Sequence, residues 1–281
     1  MVYVMEIKNQ HSALFNAALA FYRIKTFSDR LACKNLIVGM CQGNQNWISN
    51  DDDINFSIGG QDLFHSSEIV TFLYLYRLKN IKNIVLFYNF YERVLVNEYT
   101  SHFLSSVSMR FFWKIPYLLS TSYINFTEYE KMLSLNIPVL EKISKNFKYD
   151  YIPYEREDLS VVTDDFIKRV ANFHYEMFLK HKQLNQHIWL QKIINITYAE
   201  RIRLFIVLSP HNKLYRIHIP DESILFSDLY SLVNRCSHVK VINLFSAEIF
   251  SDNDYYDYEH LNKNGAEKLT HIVREVISRS K

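Results

Sequence analysis

Short apolar runs, set apart by long stretches of helical character, constrain this chain more than any other feature. Leu36-Ile37-Val38, Ile84 to Phe87, the run from Arg203 to Leu208 and the run from Val239 to Leu244 are each bounded by polar or turn-forming residues. Runs of this length with little polar alternation fit strands buried on both faces, as in the middle of a parallel sheet. Ile54-Asn55-Phe56-Ser57 adds a short fifth strand, second in chain order. Helices are expected over about residues 10–30, 62–78 and 223–235, and again over 264–277, with one or two more between 164 and 198. Strands that alternate with helical segments imply an α/β fold on a mostly parallel five-stranded sheet. The whole chain, 1–281, reads as one domain with a largely helical, aromatic-rich insertion at about residues 93–198, in which Pro138 and Pro153 mark breaks.

Glycine usage points to where function lies. The chain has five Gly in 281 residues, where an average composition gives roughly 20. Gly39 and Gly43 flank Cys41, Gly59 and Gly60 follow the second strand, and Gly265 opens the last helix. Any one of these segments is explained by a turn. Together they bracket a Cys, an Asn and an Asp/His pair. Cys41 follows the first strand, Ser57 to Gly60 the second, and Asn89 the third. Asp257 and His260 come after the fifth. In a parallel sheet these ends share one edge, where open α/β sheets place ligands.

These residue types suit acyl transfer. A thiol at a strand–helix turn is a candidate nucleophile if an imidazole can take its proton, a role for His260. Asp257, three residues earlier, can orient that imidazole and stabilise its charged form. Backbone N–H groups at Cys41 and Gly60 and the Asn89 side chain can face a developing oxyanion. Ser57 is a rival nucleophile, and Asn55 is a loop-fixing hydrogen bonder. Cys33 and Cys236 read as structural. Asp51-Asp52-Asp53 reads as solvated loop or helix start rather than a metal cluster. The spacings of His174, His181 and His187 do not form a metal-binding helix face, so they read as solvated or hydrogen-bonded histidines.

The blocks GMCQGN, INFSIGGQ, FYNF and DYEHLN, in this order, resemble the four sequence blocks of the SGNH (GDSL-like) esterases and acyltransferases. The resemblance runs from about Leu36 to Ile277, and Asp257-x-x-His260-Leu-Asn with Gly265-Ala266 is its most specific part. It implies a three-layer α/β/α sandwich, flavodoxin-like, with strand order 2-1-3-4-5. It also implies His260 as base, Asp257 as its orienter, and Gly60 and Asn89 as oxyanion donors. The family's nucleophile is a serine, and Cys41 stands in its place. Acylated carbohydrates are common substrates of such enzymes.

Three readings of Cys41 follow. It is a working nucleophile, or the site is a relic in a protein that binds carbohydrate or a partner, or Cys41 is a variant substitution. A redox-sensing thiol is a further possibility, for which the sequence offers no resolving cysteine. The leading expectation is an esterase or O-acyltransferase that forms an acyl-enzyme on Cys41. Its substrate would be a small molecule or saccharide, with an acyl donor for transfer. No metal or organic cofactor is implied. A net charge of +2 does not point to nucleic acid. Three cysteines without metal-like spacing argue against a disulfide scaffold. No stretch of about 20 uninterrupted apolar residues suggests a membrane span, and the N-terminus has no basic region or evident cleavage site. A cytoplasmic protein is the expectation.

Overall fold

A computed structural model describes Arg23 and residues 32–59, 61–75, 80–94, 163–180 and 185–280. Five strands form one parallel sheet in the order β2-β1-β3-β4-β5. They are β1 (Asn35–Gly39), β2 (Asp53–Asn55), β3 (Asn83–Tyr88), β4 (Arg203–Leu208) and β5 (Val239–Asn243). All four pairings are parallel, with β1 running from Asn35↔Asn83 to Gly39↔Phe87 along β3. Seven α-helices are numbered here among the described residues: α1 (Cys41–Gln45), α2 (Leu63–Leu75), α3 (Asp164–Lys180), α4 (His187–Ala199), α5 (Lys213–Arg216), α6 (Ser227–Val233) and α7 (Lys263–Arg279).

The two faces of the sheet explain why the central strands read as unbroken apolar runs. Leu36, Val38, Ile84, Leu86, Leu204 and Ile206 pack into one cluster with residues of α2, α3, α4 and α6, including Leu63, Ile167, Ile193 and Leu229. Ile37, Val85, Phe87, Phe205 and Val207 pack on the other face with Trp47 and the Ala266, Leu269, Val273 and Ile277 stripe of α7. Alternate residues of β1, β3 and β4 therefore enter different cores, which is why the middle of each of these strands is apolar on both sides. The result is an α/β fold in three layers.

Three expectations need correction. The second strand is Asp53–Asn55 rather than 54–57, although Phe56 N–H and Ile58 N–H still donate to Ile37 and Gly39 carbonyls at 2.8 and 3.3 Å. The helix expected over 223–235 is two pieces, a 3-10 turn at Glu222–Ile224 and α6. Leu225 and Phe226, between the two pieces, are both buried. Asp51 and Asp52 are exposed as expected, but Asp53 is fully buried. Its carboxylate accepts from Trp47 Nε1 at 3.0 Å, Asn35 Nδ2 at 2.8 Å and Arg274 Nη2 at 2.6 Å. Residues 10–30, apart from Arg23, and most of the insertion, including Pro138, Pro153 and His181, lie outside the described residues, as does Gly60. Among the described residues, no helix is long and apolar enough to cross a membrane.

The strand order reverses at β1, whose neighbours β2 and β3 are reached in opposite directions. The carboxyl ends of β1 and β3 therefore flank the crevice where sheets of this type leave room for a ligand.

Candidate active site

Cys41 owes its position to a backbone that only glycine accommodates. Gly39 ends β1 at φ +131°, and a Cβ there would lie 2.4 Å from the Phe87 carbonyl oxygen. Met40 is extended, and α1 begins at Cys41. The thiol is thus presented on a strand–turn–helix elbow at the sheet's carboxyl edge. As the first helical residue, Cys41 has an N–H with no intrahelical acceptor.

His260 approaches from the other end of the chain. Its loop is held by a bridge between Tyr255 and Leu261 and by Tyr256 N–H donating to the His260 carbonyl at 2.8 Å. Asn262 caps α7 by accepting from Gly265 N–H at 3.1 Å. Leu261 N–H donates to Asn46 Oδ1 at 3.0 Å, which ties this loop to the residue capping α1. The segments carrying thiol and imidazole are therefore fixed directly to each other.

The three side chains form a relay. His260 Nε2 is 3.0 Å from Cys41 Sγ, and His260 Nδ1 is 2.7 Å from Asp257 Oδ2. Asp257 Oδ1 also accepts the N–H groups of Glu259 and His260 at 2.8 and 2.7 Å. A carboxylate at Nδ1 fixes the proton there and leaves Nε2 as the acceptor that faces the thiol. Burial works against the Asp257 carboxylate, but the charge and hydrogen bonding of His260 outweigh it and hold its pKa low. Burial likewise opposes charge on His260, and Asp257 and Cys41 override it to raise the imidazole pKa. Burial pushes the Cys41 thiol up, against the pull of His260. Thiol and imidazole act as one coupled unit, because a thiolate formed at Cys41 stabilises the imidazolium beside it.

Asn89 follows β3 and caps a 3-10 turn at Phe90–Arg93, with Oδ1 accepting from Phe90 N–H at 2.9 Å and its own N–H donating to Glu92. This aims Nδ2 at His211 Nε2, 3.2 Å away. Burial lowers the His211 pKa to about 3. Its Nδ1–H donates to the Ser209 carbonyl at 3.0 Å, so the neutral ring accepts from Asn89. One amide hydrogen of Asn89 is thereby committed to His211. Asn55 bonds the Gly43 carbonyl at 2.9 Å and accepts Ser57 N–H at 2.9 Å, so it joins α1 to the segment after β2. Ser57 is fully buried. His174 and His187 are hydrogen-bonded to the hydroxyls of Tyr215 and Tyr88. Cys33, Cys41 and Cys236 are free thiols.

Four residues near the relay are absent from the expected set. His211 lies just past β4, the one strand end not considered, and its place at the same edge was the available signal. Glu259 lies between Asp257 and His260 in sequence. It is buried, takes a 3.3 Å hydrogen bond from Tyr91, and stands 3.9 Å from His211 Nε2. Gln42 and Tyr91 complete the surroundings of the thiol, with Gln42 Oε1 at 3.5 Å from Cys41 Sγ. Among the described residues, no group of three His, Cys, Asp or Glu is arranged to hold a metal ion.

The model of one uncharacterised protein family matches residues 160–280. That span takes in Asp257 and His260 but not Cys41. No curated protein matches the chain.

Proposed function

We propose that the protein is an acyl-transfer enzyme, an esterase or O-acyltransferase that works through a Cys41 acyl-enzyme. The observation that carries this reading is the Cys41–His260–Asp257 relay, with contacts of 3.0 and 2.7 Å. In the first half-reaction His260 Nε2 takes the thiol proton and the sulfur attacks an ester carbonyl. The tetrahedral intermediate collapses to a thioester, and the departing alkoxide takes the proton back from His260. In the second half, His260 deprotonates water or an acceptor hydroxyl, whose oxygen attacks the thioester; the C–S bond breaks, the acid or new ester leaves, and the Cys41 sulfur takes the proton back from His260. Asp257 holds the imidazole in the required tautomer throughout.

The N–H groups of Cys41 and Gly60 and the second amide hydrogen of Asn89 are the proposed donors to the oxyanion. The substrate class, an acylated carbohydrate or similar small ester, rests on the resemblance to SGNH enzymes, as does the expectation of a separate acyl donor. The strand order β2-β1-β3-β4-β5 fits that resemblance. Three free cysteines suit a reducing, cytoplasmic setting.

The test is intact mass after exposure to a small activated acetyl ester. Wild type should gain one acetyl group transiently and turn over. Cys41→Ala should gain none, and His260→Ala should acylate at least about 100-fold more slowly. A folded wild type that never acylates, or a His260→Ala variant with full turnover, would overturn the assignment.

A further inference from the structure

Beyond the paired residues Tyr88 and Leu208, β3 and β4 each bring a polar residue to the carboxyl edge, Asn89 and His211. Asn89 stands two residues past Phe87, and Cys41 two past its pairing partner Gly39, so amide and thiol leave neighbouring strand ends. The Asn89 carboxamide is held at both ends. Its Oδ1 accepts Phe90 N–H at 2.9 Å, and its Nδ2 lies 3.2 Å from His211 Nε2. His211 Nδ1–H donates to the Ser209 carbonyl at 3.0 Å, which leaves Nε2 as a bare acceptor. Turning the amide over would set Oδ1 against that bare nitrogen and Nδ2 against an N–H, and both bonds would be lost. A carboxamide is planar, so these two anchors fix the line of its second N–H, which makes no other hydrogen bond among the described residues. His211 is itself firmly held. Its N–H donates to the Phe245 carbonyl at 3.1 Å, its carbonyl accepts from Arg216 Nε at 3.2 Å, and its ring packs on Tyr215 and Phe245 at 4.9 and 4.7 Å between centroids. The next residue, Asn212, donates its N–H to the carbonyl of Tyr258, between Asp257 and His260, at 3.0 Å. An imidazole nitrogen has one lone pair. Glu259 Oε2 stands 3.9 Å from Nε2, beyond hydrogen-bond reach, and takes the Tyr91 proton, so Asn89 has that lone pair to itself.

We propose that His211 is a positioning residue for acyl transfer, which holds the Asn89 carboxamide so that its second N–H meets the oxyanion formed on Cys41. When the thiolate attacks, a C–S bond forms and the carbonyl π pair moves onto oxygen. Asn89 donates a hydrogen bond to that charge. Collapse restores the C=O bond, breaks the bond to the leaving oxygen, and sends the His260 proton to it. Neither Asn89 nor His211 gives up a proton. A donor aimed before the charge appears needs no reorganisation at the moment of reaction. Burial, which lowers the His211 pKa to about 3, keeps the ring neutral and its acceptor in place. The inference rests on the acyl-transfer reading above.

Two reactions at the same sulfur test it. Acylation by an activated ester passes through an oxyanion, and alkylation by iodoacetamide does not. His211→Phe keeps a ring for Tyr215 and Phe245 to pack on but has no acceptor. His211→Leu also lacks one, and either variant suffices if the other fails to fold. His211→Gln returns an acceptor oxygen close to the place of Nε2. Acylation should fall about 10- to 100-fold in the Phe and Leu variants and stay within about threefold of wild type in His211→Gln. Asn89→Ala should acylate about 100-fold more slowly, and adding His211→Phe to it should slow acylation no further. Cys41 alkylation should keep its wild-type rate and pH profile in every variant. Acylation at the wild-type rate in His211→Phe or in Asn89→Ala overturns the inference and leaves the Cys41–His260–Asp257 reading standing. Losses that multiply in the double variant, or a His211→Gln variant no faster than His211→Phe, also overturn it, because His211 then acts other than through Asn89. So does an equal fall in alkylation, which would place the effect on the thiol or the fold. A wild-type thiol that alkylates but never acylates overturns both readings.

Discussion

Glu259 shows how far a residue's chemistry departs from what its type suggests. Burial lifts its carboxyl from 4.5 to about 7, against the opposing charge of His260. Below pH 4.5 the group is neutral whether the chain is folded or not. Between 4.5 and 7 the unfolded chain ionises it and the folded chain does not, so folding loses stability as pH rises through that window. Glu259→Gln removes the titration. Relative to wild type it should gain about 2–3 kcal/mol between pH 4.5 and pH 8, read as the change in urea-unfolding stability at the two pH values. An identical difference at both would mean that Glu259 does not titrate in this window. That Cys41, Asp257 and His260 come together was legible in the sequence, because their blocks fall at strand ends of one parallel sheet. Glu259, Gln42 and His211 were not, because their roles depend on burial and on neighbours such as Tyr91 and Asn89, which are remote in sequence.

At the scale of elements, the β1–α1 elbow does most to define the site. Its sequence, an apolar run ended by Gly39 and followed by Cys41, was enough to place a tight turn after a buried strand. What it could not show is why the glycine is needed there. The Phe87 carbonyl of the neighbouring strand occupies the space of a Cβ, and φ is +131°. Gly39→Ala combines backbone strain with a clash against main chain that cannot swing aside. It should destabilise the protein by about 2–5 kcal/mol and displace Cys41 from His260. Cys41 alkylation at pH 7.5 then slows even at temperatures where circular dichroism shows a folded chain. Alkylation and stability both at wild-type levels would contradict this account of the elbow. The central strands were equally legible, since burial on both faces leaves no ambiguity. The 222–233 segment was not, because its break between Glu222–Ile224 and α6 falls where Leu225 and Phe226 are both buried, a tertiary feature.

The whole molecule has to bring together Cys41 and His260, which are 219 positions apart in the chain. A polar seam between α7 and the segment after α1 supports this. Ile48 N–H donates to Thr270 Oγ1 at 3.0 Å, and Arg274 donates to the Ile48 carbonyl at 2.8 Å and to Asp53 at 2.6 Å. The Arg274 guanidinium also lies 5.2 Å from the centre of the Trp47 ring, whose Nε1 bonds the same carboxylate. Asp53 is thus the point where the β1–β2 edge, the Trp47 loop and the final helix meet. The two aspartates before it are exposed, and a run of three aspartates gives no hint that the third is a buried anchor. Asp53→Ala leaves a desolvated Trp47 N–H and an unmatched Arg274, so it should cost about 3–5 kcal/mol in urea unfolding. Asp51→Ala, two residues away on the exposed turn, should stay within about 0.5 kcal/mol of wild type. If the two substitutions cost the same, the seam does not hold the last helix, and the approach of His260 to Cys41 must be set by the Asn46–Leu261 contact and the apolar stripe of α7 alone.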